Sequence, residues 1–147
     1  MKILRFAVVF IAILVLFIFG CRKPERPEGM PDLTPCIVSV TFGGEKIEGV
    51  GVQLHPQDLT TNEWVSGGRT DVNGKAILKT GAYFDGAVPG TYIVSFQKFA
   101  EPELSPDGML LQSKPLIPKK YMQGQSKETI TVTKEQKEYV FELEGLK

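Results

Sequence analysis

The stretch VPGTYIVSFQK, residues 88–98, decides the fold. Tyr92, Val94 and Phe96 share one face and Ile93, Ser95 and Gln97 the other, the period-two alternation of a strand with one side in a core. Pro89 fixes one turn angle and Gly90 permits a positive φ at the next, so the chain reverses straight into the strand. Tyr92 is then placed to bury its ring while its hydroxyl reaches a backbone partner.

The same period runs outward in both directions. Cys36 to Phe42 alternates, Gly43-Gly44 turns the chain into a short Lys46-Ile47 segment, and Val50, Val52 and Leu54 share a face. Glu63 to Ser66 reads as a short strand around the single tryptophan, and Arg69 to Asp71 leads into the turn Asp71-Val72-Asn73-Gly74. Strands follow over Lys75 to Lys79, Glu128 to Thr133 and Glu138 to Leu143. Helix is nearly absent; only Pro118 to Met122 suits a turn or so, with proline at its first position. About seven short strands at this spacing predict an all-β fold, a single antiparallel β-sandwich of the Ig-like kind. From Cys36 to Lys147 there are 112 residues. That is enough for one domain that buries about two-thirds of its unfolded surface.

The N-terminal end has a different logic. Lys2 and Arg5 precede an uncharged run from Phe6 to Phe19, short for a bilayer span and the right size for the core of a secretion signal. The run ends in Ile18-Phe19-Gly20-Cys21, which resembles the lipobox of bacterial lipoproteins, whose cysteine is lipidated through sulfur and exposed by cleavage before it. Gly20 gives a peptidase access to the backbone, and a thiolate is nucleophilic enough to take the lipid. The expectation is a signal peptide over 1–20, a lipid on Cys21 and a position on the bacterial cell envelope; an uncleaved anchor helix is the alternative. Residues 21–35, with prolines at 24, 27, 31 and 35, predict an extended tether holding the domain roughly 40 Å from the lipid surface.

Removing residues 1–20 takes away Lys2 and Arg5 and no acid, leaving 15 basic against 17 acidic residues, well interleaved. Nucleic acid is therefore not an expected partner. With Cys21 lipidated, Cys36 has no partner within the chain and no disulfide is available. Its phase with Val38, Val40 and Phe42 marks it as a small buried hydrophobe rather than a reactive thiol.

GRTDVNGKAIL, DGAVPGTYIVSF and LIPKKYMQGQSKETITVTKEQKEYVFEL together resemble carboxypeptidase regulatory-like, transthyretin-like domains of secreted bacterial proteins, and among them small lipoproteins with one such domain. The resemblance covers residues 36–145. It implies a sandwich serving as an accessory, adhesive or carbohydrate-associated module. Transthyretin-like folds also include 5-hydroxyisourate hydrolases, which use several histidines, an arginine and a C-terminal Tyr-Arg-Gly-Ser. This chain has one histidine, His55, and ends in Glu-Gly-Leu-Lys.

Chemistry-bearing patterns are few. His55, at a strand end before Pro56, suits loop packing or solvent better than catalysis. Asp71 and Asn73 open like a calcium loop, but Lys75-Ala76-Ile77-Leu78 follows where further ligands belong. No cofactor and no catalytic residue is expected. The segment Phe99 to Pro118 is long for a sandwich loop. Met109, Leu110 and Leu111 within it are expected to fold back over a sandwich edge; the alternative is a partner-binding tip with Trp64 or Phe84 as aromatic neighbours. The leading function is a non-enzymatic envelope module that binds or scaffolds protein or glycan. A small-ligand carrier or hydrolase with a loop-built pocket is the alternative.

Overall fold

Period-two segments that bury one face must pair, and they do so here as two sheets around one core. The computed structural model describes residues 24–60 and 63–145. The expected signal peptide and Cys21 lie outside the described residues. The strands are β1 Ile37–Phe42, β2 Glu45–Lys46, β3 Gly51–Pro56, β4 Ser66–Arg69, β5 Lys75–Ile77, β6 Lys79–Thr80, β7 Phe84–Asp85, β8 Gly90–Gln97, β9 Thr129–Val132 and β10 Glu138–Leu143. A single 3₁₀ turn spans Lys119–Tyr121, entered from Pro118. The larger sheet has the order β7-β6-β4-β3-β8-β9, and all its pairs are antiparallel. The smaller sheet is built on β1, with β10 along one edge and β2 and β5 end to end along the other.

This is the all-β sandwich expected, with ten strands among the described residues where about seven were expected, and with three further differences in detail. The pair β1·β10 is parallel, Ile37 opposite Glu138 through Phe42 opposite Leu143, although every other pair is antiparallel. The strand expected over Lys75 to Lys79 is split at Leu78, where the chain crosses from the smaller sheet to the larger. The Leu78 amide donates to the Cys36 carbonyl at 2.9 Å and its own carbonyl accepts from the Gly86 amide at 2.8 Å, so the crossing stays hydrogen-bonded. The strand expected over Glu63 to Ser66 instead begins at Ser66 and runs through Gly67-Gly68. A Cβ at Gly68 would stand 2.6 Å from the Ile77 carbonyl oxygen, so only glycine lets β4 pass under the crossing.

The core follows the alternation. Val38, Val40, Val50, Val52, Leu54, Leu78, Tyr92, Val94, Phe96, Val132 and Leu143 are buried, and Phe96 meets the Phe141 and Tyr121 rings edge-on at 5.0 and 6.3 Å. The Tyr92 hydroxyl donates to the Val88 carbonyl at 2.6 Å, tying β8 to the turn that launches it. Thr70 plays a similar part on β3, where its hydroxyl accepts from the Val50 amide at 2.8 Å and donates to the Ile47 carbonyl at 2.7 Å. Cys36 is buried in the core, and burial pushes its thiol up to about 11, so it packs as a hydrophobe and carries little thiolate.

Residues 24–35 are not a free stalk. Met30 donates to the Pro27 carbonyl in a turn and is buried, Arg26 bonds the Pro31 carbonyl, and Thr34 exchanges two backbone bonds with Ala87 at 2.8 and 2.9 Å. Met30, an apolar residue among prolines, gives the segment something to bury, and the expected span shrinks to the residues before Arg26.

The parallel seam is fastened from outside by two acids on β10. Glu138 accepts from Lys75 Nζ at 2.8 Å and Ser39 Oγ at 2.6 Å, while Glu142 accepts from the Thr41 hydroxyl and from the Gly44 amide at 2.8 Å. The Lys75 bond first and the Ser39 bond second hold Glu138 below its ordinary 4.5, and the Thr41 bond first and the Gly44 amide second do the same for Glu142. A carboxylate lowered in the folded state contributes stability that is present above its unfolded value and lost as pH falls through the folded one. The urea midpoint is therefore expected to fall as pH drops from about 5 to about 3, and to fall less steeply in the double variant Glu138→Gln, Glu142→Gln. Parallel pH curves for the two proteins would show that the seam carries none of the acid sensitivity.

Candidate functional site

The register gives the sandwich two distinct ends. β1 starts where the tether docks, and the β9 to β10 turn, the β3 to β4 loop and Trp64 share that end. The opposite end holds the Gly43-Gly44 turn, the Asp71 to Gly74 turn and the exit of β8 at Gln97. Residues 98–116 leave from this far end.

Those residues form a two-stranded ribbon rather than a loop. Its rungs are Leu116 N to Lys98 O at 2.8 Å, Ala100 N to Lys114 O at 2.9 Å, Leu111 N to Glu103 O at 2.8 Å and Ser105 N to Met109 O at 2.7 Å. Ser105-Pro106-Asp107-Gly108 closes it: the Gly108 amide bonds the Ser105 carbonyl at 2.9 Å, and Gly108 takes φ 78°, a turn that feeds a three-residue hairpin loop. Ser-Pro-Asp-Gly is a turn signal in its own right, and it is the feature from which the hairpin could have been foreseen.

The expectation that Met109, Leu110 and Leu111 cover a sandwich edge fails. Their exposures are 68%, 71% and 48%, and Leu104 across the ribbon is 67% exposed. The cover comes from the segment just after the ribbon, where Ile117 and Tyr121 are buried against Phe96 and its neighbours. The Tyr121 hydroxyl accepts from the Glu144 amide at 3.1 Å, which pins this segment to the end of β10. The ribbon is thus relieved of any part in the core, and its apolar side chains stand in solvent beside Glu101, Glu103 and Asp107.

Neither proposed aromatic neighbour joins that tip. The register puts Trp64 at the tether end of the larger sheet, and Phe84 lies on β7, that sheet's far edge from β8. Phe84 lines a different feature, an open cleft of about 660 Å³ between the tether and the β6 to β7 turn, shared with Arg26, Tyr83, Asp85 and Lys134. Its carboxylates are turned to their own cations, Asp32 to Arg26 at 3.6 Å and Asp85 to Lys79 at 3.4 Å.

The other sequence candidates have structural work. His55 Nε2 and Ser95 Oγ are 3.0 Å apart across β3 and β8. Asp71 Oδ1 accepts from the Asn73 amide at 2.8 Å and the Lys75 amide at 3.0 Å, and these backbone bonds, Lys75 foremost, hold the carboxyl below its usual range. Among the described residues no group of three or more His, Cys, Asp or Glu is placed to hold a metal ion. No protein-family model, no curated protein and no solved structure matches the chain.

Replacing Glu103–Leu111 with a Gly-Gly turn should change stability by no more than about 0.5 kcal/mol, a shift of about 2–4 °C in Tm, because nothing in that stretch is buried. Ile117→Ala, by contrast, should cost about 2–4 kcal/mol through the cavity it opens. Thermal melts of the two variants check the division of labour, and a large loss in the first would return the ribbon to the core.

Proposed function

We propose that the chain is a lipid-anchored β-sandwich module of the bacterial cell envelope, akin to carboxypeptidase regulatory-like and transthyretin-like domains, that acts by binding rather than by catalysis. The observation that carries the reading is the placement of the ribbon. An apolar tip on a polar rim is carried by a ribbon that leaves the end of the sandwich opposite the tether. Exposed apolar groups clustered in this way mark recognition surfaces. Leucine and methionine side chains at the tip favour a protein target over a glycan, since the one exposed aromatic ring of the ribbon, Phe99, stands at its root. The anchor rests on Gly20-Cys21 and the apolar run before it; several acyl chains, at about 0.8 kcal/mol per buried CH₂, hold a chain on a membrane durably. Because the tether buries Met30 and bonds the domain through Thr34, the sandwich is held closer to the lipid than a free stalk would hold it.

Mass spectrometry of the membrane fraction is expected to find lipid-sized additions on a chain beginning at Cys21, and Cys21→Ser is expected to release the protein from that fraction. An unmodified Cys21 in membranes would defeat the anchor. For the ribbon, a photoreactive residue at position 110 is expected to give a discrete adduct in cells, against none from position 77, which is also well exposed, on the smaller sheet. Equal labelling at the two positions would remove the ribbon's special role.

A further inference from the structure

The ribbon and the segment that follows it have opposite charge. Residues 100–113 contain Glu101, Glu103 and Asp107 and no Lys or Arg, whereas residues 114–127 contain Lys114, Lys119, Lys120 and Lys127 and no acid. Beside the ribbon's root lies a groove of about 480 Å³, with Phe99, Pro115 and Met122 as its apolar part and Lys114 and Lys119 on it. The molecule therefore carries an acidic apolar tip and a basic apolar groove at one end of one sandwich.

Within one chain the turn and the base of the ribbon stand apart. The ladder runs from Lys98 to Ser105 before it turns, and at about 3.3 Å per residue the turn is roughly 20 Å from the base, where Phe99, Lys114 and Pro115 line the groove. Among the described residues, Glu101, Glu103, Asp107, Lys114, Lys119 and Lys127 form no ion pair. Lys120 is already engaged, with Glu144 at 3.9 Å and over the Tyr121 ring at 4.7 Å.

From this we infer that the ribbon docks on a second copy of the chain, each tip seated in the other's root groove, with the two ribbons side by side and antiparallel. The inference rests on the ribbon being a docking element. A two-fold axis satisfies both contacts at once, since each chain supplies one tip and one groove. Met109 and Leu111, on the same side of the ribbon as Glu103, would reach Phe99 and Met122, and Glu103 and Asp107 would face Lys114 and Lys119. Two narrow ribbons bury little area by the standard of stable dimers, so association is weak in solution and is raised by confinement on a membrane.

Charge exchange tests the pairing in the full chain. Sedimentation equilibrium in density-matched detergent is expected to give a concentration-dependent dimer of the unaltered protein. The tip variant Glu103→Lys, Asp107→Lys and the groove variant Lys114→Glu, Lys119→Glu should each weaken dimerisation at least about tenfold, because both contacts become repulsive. Mixed together they should recover the dimer, because each tip then faces a groove of opposite sign. All these positions are exposed or partly exposed, and thermal melts check that each variant folds. An unaltered chain that stays monomeric at about 1 mM overturns the inference. So does a dimer that survives in both altered chains, as two anchors sharing a micelle would produce. A monomer that still gives the position-110 adduct with another envelope protein overturns self-pairing and leaves the docking role standing.

Discussion

The parallel contact between the first strand and the last is the constraint on which the rest of the molecule depends. β1 is the only strand that touches every other member of the smaller sheet, so that sheet exists only once β10 has come back to it. A parallel neighbour cannot be reached by a hairpin and needs a long crossover. Here the crossover is the whole domain, including the larger sheet. Both termini of the domain are thereby held in one seam: the tether enters at its start, and β10 runs alongside toward the far end. That seam gives the sandwich its polarity.

This polarity could not be foreseen from alternation. Period two says which face of a strand is buried and says nothing about its neighbour or the neighbour's direction, so β8 and β10 were legible almost to the residue while their partners were not. The failures have local causes as well. β4 is Ser-Gly-Gly-Arg, chosen for a close approach beneath the Ile77 carbonyl rather than for strand propensity, and a propensity argument passes over it. Leu78 keeps the phase of Ala76 and stays buried, so nothing in the pattern reveals that the chain changes sheets there. Met30 looks incidental among prolines, yet it is enough to seat the tether.

The site was legible in part for the same reasons. The residues of the ribbon could be named, because three consecutive apolar side chains in a long connection between strands call for explanation. Their exposure could not, since a leucine that covers an edge and one that waits for a partner are identical in one dimension. What separates them is that Ile117 and Tyr121, eight and twelve residues after Met109, had already filled the position the ribbon was expected to fill. Competition for a single edge is a three-dimensional matter.

An apolar hairpin on a folded domain carries a cost that a purely structural account leaves unmet. A lone two-stranded ribbon is marginal in water. This one has few rungs, two internal prolines at 102 and 106, and leucine on both strands, so the isolated chain gains little from ordering it. The acids spaced along it keep it soluble without covering it, and among the described residues none of them forms an ion pair. Both features make sense together if the ribbon is completed from outside. The core takes no side chain from Glu103–Leu111, and the seam and the buried segment after Pro115 fix where the ribbon leaves the domain.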